Sequence, residues 1–183
     1  MERMSDAAYI EKILKGETAC FARLLERYSK QVFSLIVKIV GNREDVEELT
    51  QDVFLKAFQS LAHFRGDSSF STWIYRIAYN IAISATRKKT ADFLTIDESI
   101  LSEVPDEPFF DDLDNDKRID YLNQALGQLP PDERALILLF YREDKTMDEI
   151  ALITGLTTSN VKTKICRIRK KLFVMINNYE NER

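Results

Sequence analysis

The chain has 183 residues, 45% of them apolar, and a formal net charge of −4, enough material for one domain or two small ones with compact cores. No apolar run approaches the roughly 18 residues of a membrane span, and the N-terminus MERMSDAAYIEK lacks the apolar centre of a secretion signal, so a cytoplasmic protein with no membrane insertion is expected. Cys20 and Cys166 have no partner at disulfide or metal spacing, His63 is the single histidine, and neither a phosphate loop nor a nucleophile–base arrangement occurs, which excludes the common enzyme classes and leaves no cofactor to expect.

Every glycine (16, 41, 66, 127, 155) and proline (105, 108, 130, 131) falls at or near a boundary between helical patterns, and no period-2 alternation survives, so the fold is read as all-α. Helices are expected near 5–15, 17–40, 43–62 and 69–89, then near 117–128, 131–141, 146–154 and 158–179. Charge divides the chain the same way. Residues 1–90 hold 14 Lys/Arg and 11 Asp/Glu, residues 91–116 hold none and 10, and residues 117–183 hold 12 and 9. Two mildly basic helical domains, 1–90 and 117–183, therefore flank an acidic linker at 91–116, and the acidic total misleads about partners.

In the third helix Val46, Leu49, Val53 and Ala57 form an inward stripe, while Leu55 and Phe58 lie on another side beside Glu48, Gln51 and Asp52. An apolar pair rimmed by carboxylates suits a basic, partly apolar protein surface, and a helix sandwiched between two others explains the pattern equally well. The fourth helix separates Phe70, Ile74, Ile77 and Ile81 from a second face of Trp73, Arg76, Asn80, Ser84 and Arg87. An indole, guanidinium groups and an amide can stack a base, neutralise phosphate and bond a base edge. The preceding loop Phe64-Arg65-Gly66-Asp67-Ser68-Ser69 is able to fold around an extruded nucleotide, and Lys88 and Lys89 extend the basic end.

The linker has no sustained helical period and is read as extended, with Phe93, Leu94, Ile96, Ile100, Phe109 and Phe110 available to dock. Pro130 and Pro131 suit a helix start, with Asp132 and Glu133 at the positive end of the dipole. Thr146 and Glu149 have capping-box spacing, Gly155 supplies a turn that Leu156 pins, and Thr157 or Thr158 caps the last helix. That helix buries Val161, Ile165, Ile168 and Leu172, and directs Lys162, Lys164, Arg167, Arg169, Lys170 and Lys171 elsewhere. A short helix, a glycine turn and a basic helix opening with Thr158, Ser159, Asn160, Lys162 and Thr163 make a helix-turn-helix that suits a DNA major groove.

With DVEELTQDVFLKAF, FRGDSSFSTWIYRIAYNIA, the acidic linker, LPPDERALILLFY and the helix-turn-helix in one order, the chain resembles bacterial RNA polymerase sigma factors of the extracytoplasmic-function group of the sigma-70 family. The resemblance implies that Asp45, Glu48, Leu49, Gln51, Asp52, Phe54 and Leu55 dock on the β′ clamp helices of core RNA polymerase. It implies that the loop Phe64, Arg65, Asp67, Ser68, Ser69 and Phe70, with Trp73, Arg76 and Asn80, melts the promoter −10 element and captures a flipped base. Lys162, Thr163, Lys164, Cys166 and Arg167 match positions that contact the −35 element, and the linker would pass near the RNA exit path. Implied partners are core RNA polymerase through the β′ clamp helices and the β flap, promoter DNA, and an anti-sigma factor. Ser84 departs from the aspartate usual before the basic cluster. The residues by themselves leave two alternatives: a helix-turn-helix regulator that binds duplex DNA without polymerase, and an all-α interaction protein with an acidic partner.

Overall fold

The computed structural model describes residues 4–41, 45–87, 96–106 and 115–181; Lys88, Lys89, Phe93, Leu94, Phe109 and Phe110 lie outside the described residues. Among the described residues there is no strand, and the all-α expectation holds. The elements are α1 (Asp6–Leu14), α2 (Phe21–Val40), α3 (Val46–Ser60), α4 (Phe70–Thr86), α5 (Glu98–Glu103), α6 (Asn115–Gln128), α7 (Pro131–Tyr141), α8 (Met147–Thr154) and α9 (Thr158–Asn181). Short 3₁₀ turns at Thr18–Cys20 and Leu61–His63 take up the ends of two longer predicted helices.

Side-chain caps set several of these starts. Ser5 accepts the Ala8 amide ahead of α1, and Ser69 accepts the Thr72 amide ahead of α4. Gly41 ends α2 and Gly155 ends α8, both with left-handed φ of 74° and 77°, a conformation that carries no Cβ penalty in glycine.

In the first unit α2, α3 and α4 pack on one another through Leu24, Val32, Leu35, Ile36, Val53, Ala57, Phe70 and Ile74, all buried. In the second, α6, α7 and α8 pack around α9 through Ala125, Leu139, Ile150, Ile153, Val161, Ile165 and Ile168. Each buried leucine or isoleucine contributes about 1.5–3 kcal/mol, so these layers carry most of the stability.

The two units lie directly against each other and share one continuous apolar cluster, with α7 on α2 and α8 on α4. Polar contacts fix the seam. Arg134, 9% exposed, donates to the carbonyls of Gly127 (2.6 Å) and Leu129 (2.9 Å) in its own unit and of Lys38 (3.1 Å) at the end of α2. Thr72 donates to Glu149 (2.8 Å), Lys145 to Ser71 (2.7 Å), and the Tyr75 hydroxyl to Glu143. Asp144, at φ 49°, makes the left-handed turn that brings Glu143 and Lys145 to α4.

The stretch read as extended contains the short helix α5, which Asp97 starts by accepting the amide and hydroxyl of Ser99. It docks on α9 through Leu101 and Val104, which are buried, whereas Ile100, expected to dock, is exposed. One apolar residue in the helix and one at its extended C-cap hold what a longer periodic pattern holds elsewhere.

Candidate nucleic-acid interface

The loop between α3 and α4 and the first turns of α4 enclose a pocket of about 330 Å³ lined by Phe64, Arg65, Gly66, Asp67, Ser68, Thr72, Trp73 and Arg76. Gly66 is left-handed (φ 76°), which turns the loop back over the helix. Trp73 is half-buried, packed at a tilt against Phe64 (5.3 Å between ring centroids) and Phe70 (5.6 Å), so the indole is braced by aromatic contacts. Arg65, Asp67, Ser69, Arg76, Asn80 and Arg87 are exposed, and Ser68 is half-buried. Phe70 is buried and acts as the support beneath Trp73. The site thus offers a braced indole beside an exposed guanidinium and amide, able to stack an unpaired base and bind its phosphate.

One wall of this pocket comes from the other unit. Leu152 of α8 lines it, and α8 covers a side of α4 that the sequence pattern left open: Thr72 and Tyr75 are both buried. Glu149 is central to that contact. Its Oε2 accepts the Thr146 amide (3.0 Å) while its own amide bonds the Thr146 hydroxyl (3.2 Å), completing the capping box, and Oε1 takes the Thr72 hydroxyl. Burial alone raises the carboxyl pKa, but the Thr146 amide, the Thr72 hydroxyl and the Lys145 ammonium outweigh it, and the pKa is lowered. Burial and the Glu143 carboxylate push the Tyr75 hydroxyl well above the usual phenol range, keeping it a donor.

The second basic face is the N-terminal half of α9. Thr157 caps the helix by accepting the Asn160 amide (3.2 Å), and Ser159, Asn160, Lys162 and Thr163 are exposed beyond it. Several predicted contact residues are engaged within the chain. Thr158 donates to Asp148 (2.8 Å), Thr163 to the Ser159 carbonyl (3.1 Å), and Lys164 lies 4.0 Å from Asp132. Arg167 pairs with Glu98 of α5, and Cys166 faces Asp106 at 3.6 Å. Lys171 is withdrawn altogether, buried in an ion pair with Glu133 (2.7 Å).

A third surface lies on α3. Leu55 and Phe58 are exposed, 56% and 40%, and with Phe21, Leu25, Thr50 and Gln51 they border an open apolar groove of about 390 Å³. Phe54, expected among the contact residues, is buried and forms part of the groove's lining, while Leu49 is half-buried. Asp45, Glu48, Gln51 and Asp52 are exposed along the same helix, so the apolar pair does sit beside carboxylates. α3 does lie between α2 and α4, and Leu55 and Phe58 remain exposed beyond that packing.

These elements define a helix-turn-helix protein with a second, aromatic-lined pocket at the start of α4. Family models for sigma-70 region 2 and sigma-70 region 4 match residues 24–91 and 119–172. The chain is 30% identical over 180 residues to the ECF RNA polymerase sigma-E factor of Escherichia coli K12, covering 93% of this chain and 94% of that one. It is 29% identical over 177 residues to the ECF RNA polymerase sigma factor SigW of Bacillus subtilis, covering 89% and 92%. The chain belongs to the sigma-70 family, in its ECF group. In fold it is similar to CnrH, solved in complex with the cytosolic domain of CnrY (TM-score 0.71, 21% identity, 94% of this chain and 97% of that one). It is likewise similar to the sigma factor RpoE of Bartonella quintana, solved with the anti-sigma factor NepR (TM-score 0.64, 19% identity, 86% and 96%).

Proposed function

We propose that the chain divides transcription initiation among three surfaces. It is a transcription initiation factor, without enzymatic activity, that binds core RNA polymerase, directs it to promoters and nucleates strand opening. Residues 1–90 form the core-binding and melting unit, 91–116 the linker and 117–183 the −35-reading unit. Asp45, Glu48, Leu49, Gln51, Asp52 and Leu55, with Phe54 beneath them, meet the β′ clamp helices. The loop Phe64–Phe70 with Trp73, Arg76 and Asn80 receives a base extruded from the −10 element. Arg87 and Lys88 take phosphate, and the face of α9 from Thr158 to Arg167 reads the −35 duplex.

The observation that carries this division is the braced Trp73 with its loop on one unit and the basic recognition helix on the other, each with chemistry for a different form of DNA. Opening a base pair costs a few kcal/mol, and stacking on an aromatic ring returns about 1–3 kcal/mol per base, so binding energy alone can drive melting without a chemical step. The protein acts in the cytoplasm, where polymerase and promoters are; no described helix is long and apolar enough to cross a membrane. An anti-sigma factor and the β flap are further partners. The groove of about 610 Å³ lined by Lys38, Leu122, Leu126, Tyr141, Arg142 and Arg169 supports an acidic, amphipathic one.

A pull-down of core RNA polymerase tests the core-binding assignment. Leu55→Asp places a charge in an exposed groove without disturbing the core, so the protein remains helical by circular dichroism and loses polymerase binding. Unchanged capture would remove α3 from the core-binding surface.

A further inference from the structure

A short segment of the chain's own linker lies against the later turns of the recognition helix. Helix α5 seats Leu101 and Val104 on α9, 3% and 8% exposed, and delivers carboxylates on either side of that anchor. Glu98 pairs with Arg167, and Asp106 accepts a bond from Lys170 Nζ at 2.9 Å while its Oδ1 lies 3.6 Å from Cys166 Sγ. The Lys170 ammonium beside it holds the Asp106 carboxyl below the usual carboxylate range. Two carboxylates on a short apolar clip thus stand on one helical face against a guanidinium and an ammonium. Phosphates approaching this face would compete with those carboxylates for the same two cations.

We propose that the segment from Asp97 to Asp106 is a built-in competitor of duplex DNA: docked on α9, it masks Cys166, Arg167 and Lys170 and lowers the free protein's affinity for the −35 duplex. The proposal rests on α9 being the DNA-reading helix. Ser159, Asn160 and Lys162, one to two turns nearer the start of α9, stay exposed and unmasked, whereas at the later turns Cys166 and Lys170 are half-buried and Arg167, still half exposed, is held by its pairing with Glu98. The Arg167–Glu98 pair is solvent-exposed and weak, in the second pair Lys170 is largely covered while Asp106 is open to solvent, and the buried Leu101 and Val104 are what give the clip its hold. A docked state that excludes DNA divides the apparent affinity by the fraction of molecules that are open, and release of the linker restores it.

Fluorescence anisotropy of a labelled random-sequence duplex at low salt, titrated with full-length protein, reads the effect. Leu101→Asp undocks the clip while making the protein more acidic, so electrostatics without masking predicts weaker binding and masking predicts tighter binding. About a five- to tenfold lower apparent Kd is expected for Leu101→Asp, and a smaller gain, about threefold, for Glu98→Gln/Asp106→Asn, which leaves the apolar clip intact. The charge-matched control Glu11→Gln/Glu26→Gln, on the other unit, stays within about twofold of the parent. Adding Arg167→Ala to Leu101→Asp should cancel the gain. If neither linker variant binds more tightly than the control while Arg167→Ala still weakens binding, the masking is refuted and the DNA face stands. If Arg167→Ala changes binding in no background, the reading of α9 fails and the mask with it.

Discussion

Arg134 is the polar rivet between the two units, and removing it should loosen them. The guanidinium is buried on a helix that continues as ALILLFY, and burial lowers its pKa without neutralising it. Three well-formed bonds, to Gly127 O, Leu129 O and Lys38 O at 2.6 to 3.1 Å, join the end of α6 to the end of α2, where helix carbonyls have no partner within their own helix. At about 1.5–3 kcal/mol per charge-assisted bond the gross gain is several kcal/mol, and the cost of desolvating the cation takes back much of it. Truncation also strands the carbonyls and leaves a void, so Arg134→Ala should cost about 3 kcal/mol net. Arg134→Lys keeps the charge but not the fork that reaches both units, and should cost about 1–2 kcal/mol. Urea unfolding followed by circular dichroism and by Trp73 fluorescence checks both. The parent unfolds in one transition, and the alanine variant shows an earlier midpoint with the two probes separating. A loss below about 1 kcal/mol with coincident probes would refute the rivet.

Trp73→Ala removes the indole without touching core-binding or −35 residues; it should leave polymerase capture intact and reduce permanganate-reactive thymines over the −10 element at least about fivefold, from 1–3 kcal/mol of lost stacking. Arg167→Ala should weaken promoter selection by the holoenzyme with unchanged affinity for core polymerase, measured by competition transcription against the parent; equal loss of both would contradict separate surfaces. Glu149 supplies the acid dependence of the seam: its folded pKa is depressed, so its contribution is complete above the ordinary carboxylate pKa and fades as pH falls through the lower folded value. Glu149→Gln should therefore flatten the acid side of the stability profile in thermal melts, whereas an unaltered profile would assign the dependence to other carboxylates.

The helix-turn-helix was legible residue by residue because its signals are local. The capping box of Thr146 and Glu149, the left-handed Gly155 and the spacing of Val161, Ile165, Ile168 and Leu172 all appear as expected. The Trp73 pocket was legible for the same reason, since loop and helix are contiguous. What the pattern missed depends on contacts distant in sequence. Thr72 and Tyr75 are buried because α8 arrives on a face with no apolar stripe of its own, and their partners Glu149 and Glu143 lie 77 and 68 residues away. Arg134 carries no sequence mark of burial, since a single cation on an apolar helix reads as a solvated face. The docking of α5 had a faint signal in Asp97 before Ser99, but six residues are too few for a helical period to show.

Run-off transcription with core RNA polymerase on genomic promoter fragments tests the central claim most directly. Core enzyme with this chain should yield discrete transcripts starting downstream of a shared −35 and −10 pair, lost with Leu55→Asp and with Trp73→Ala. Tight binding of the chain alone to a palindromic duplex, with no promoter-specific transcript when core enzyme is added, would contradict it.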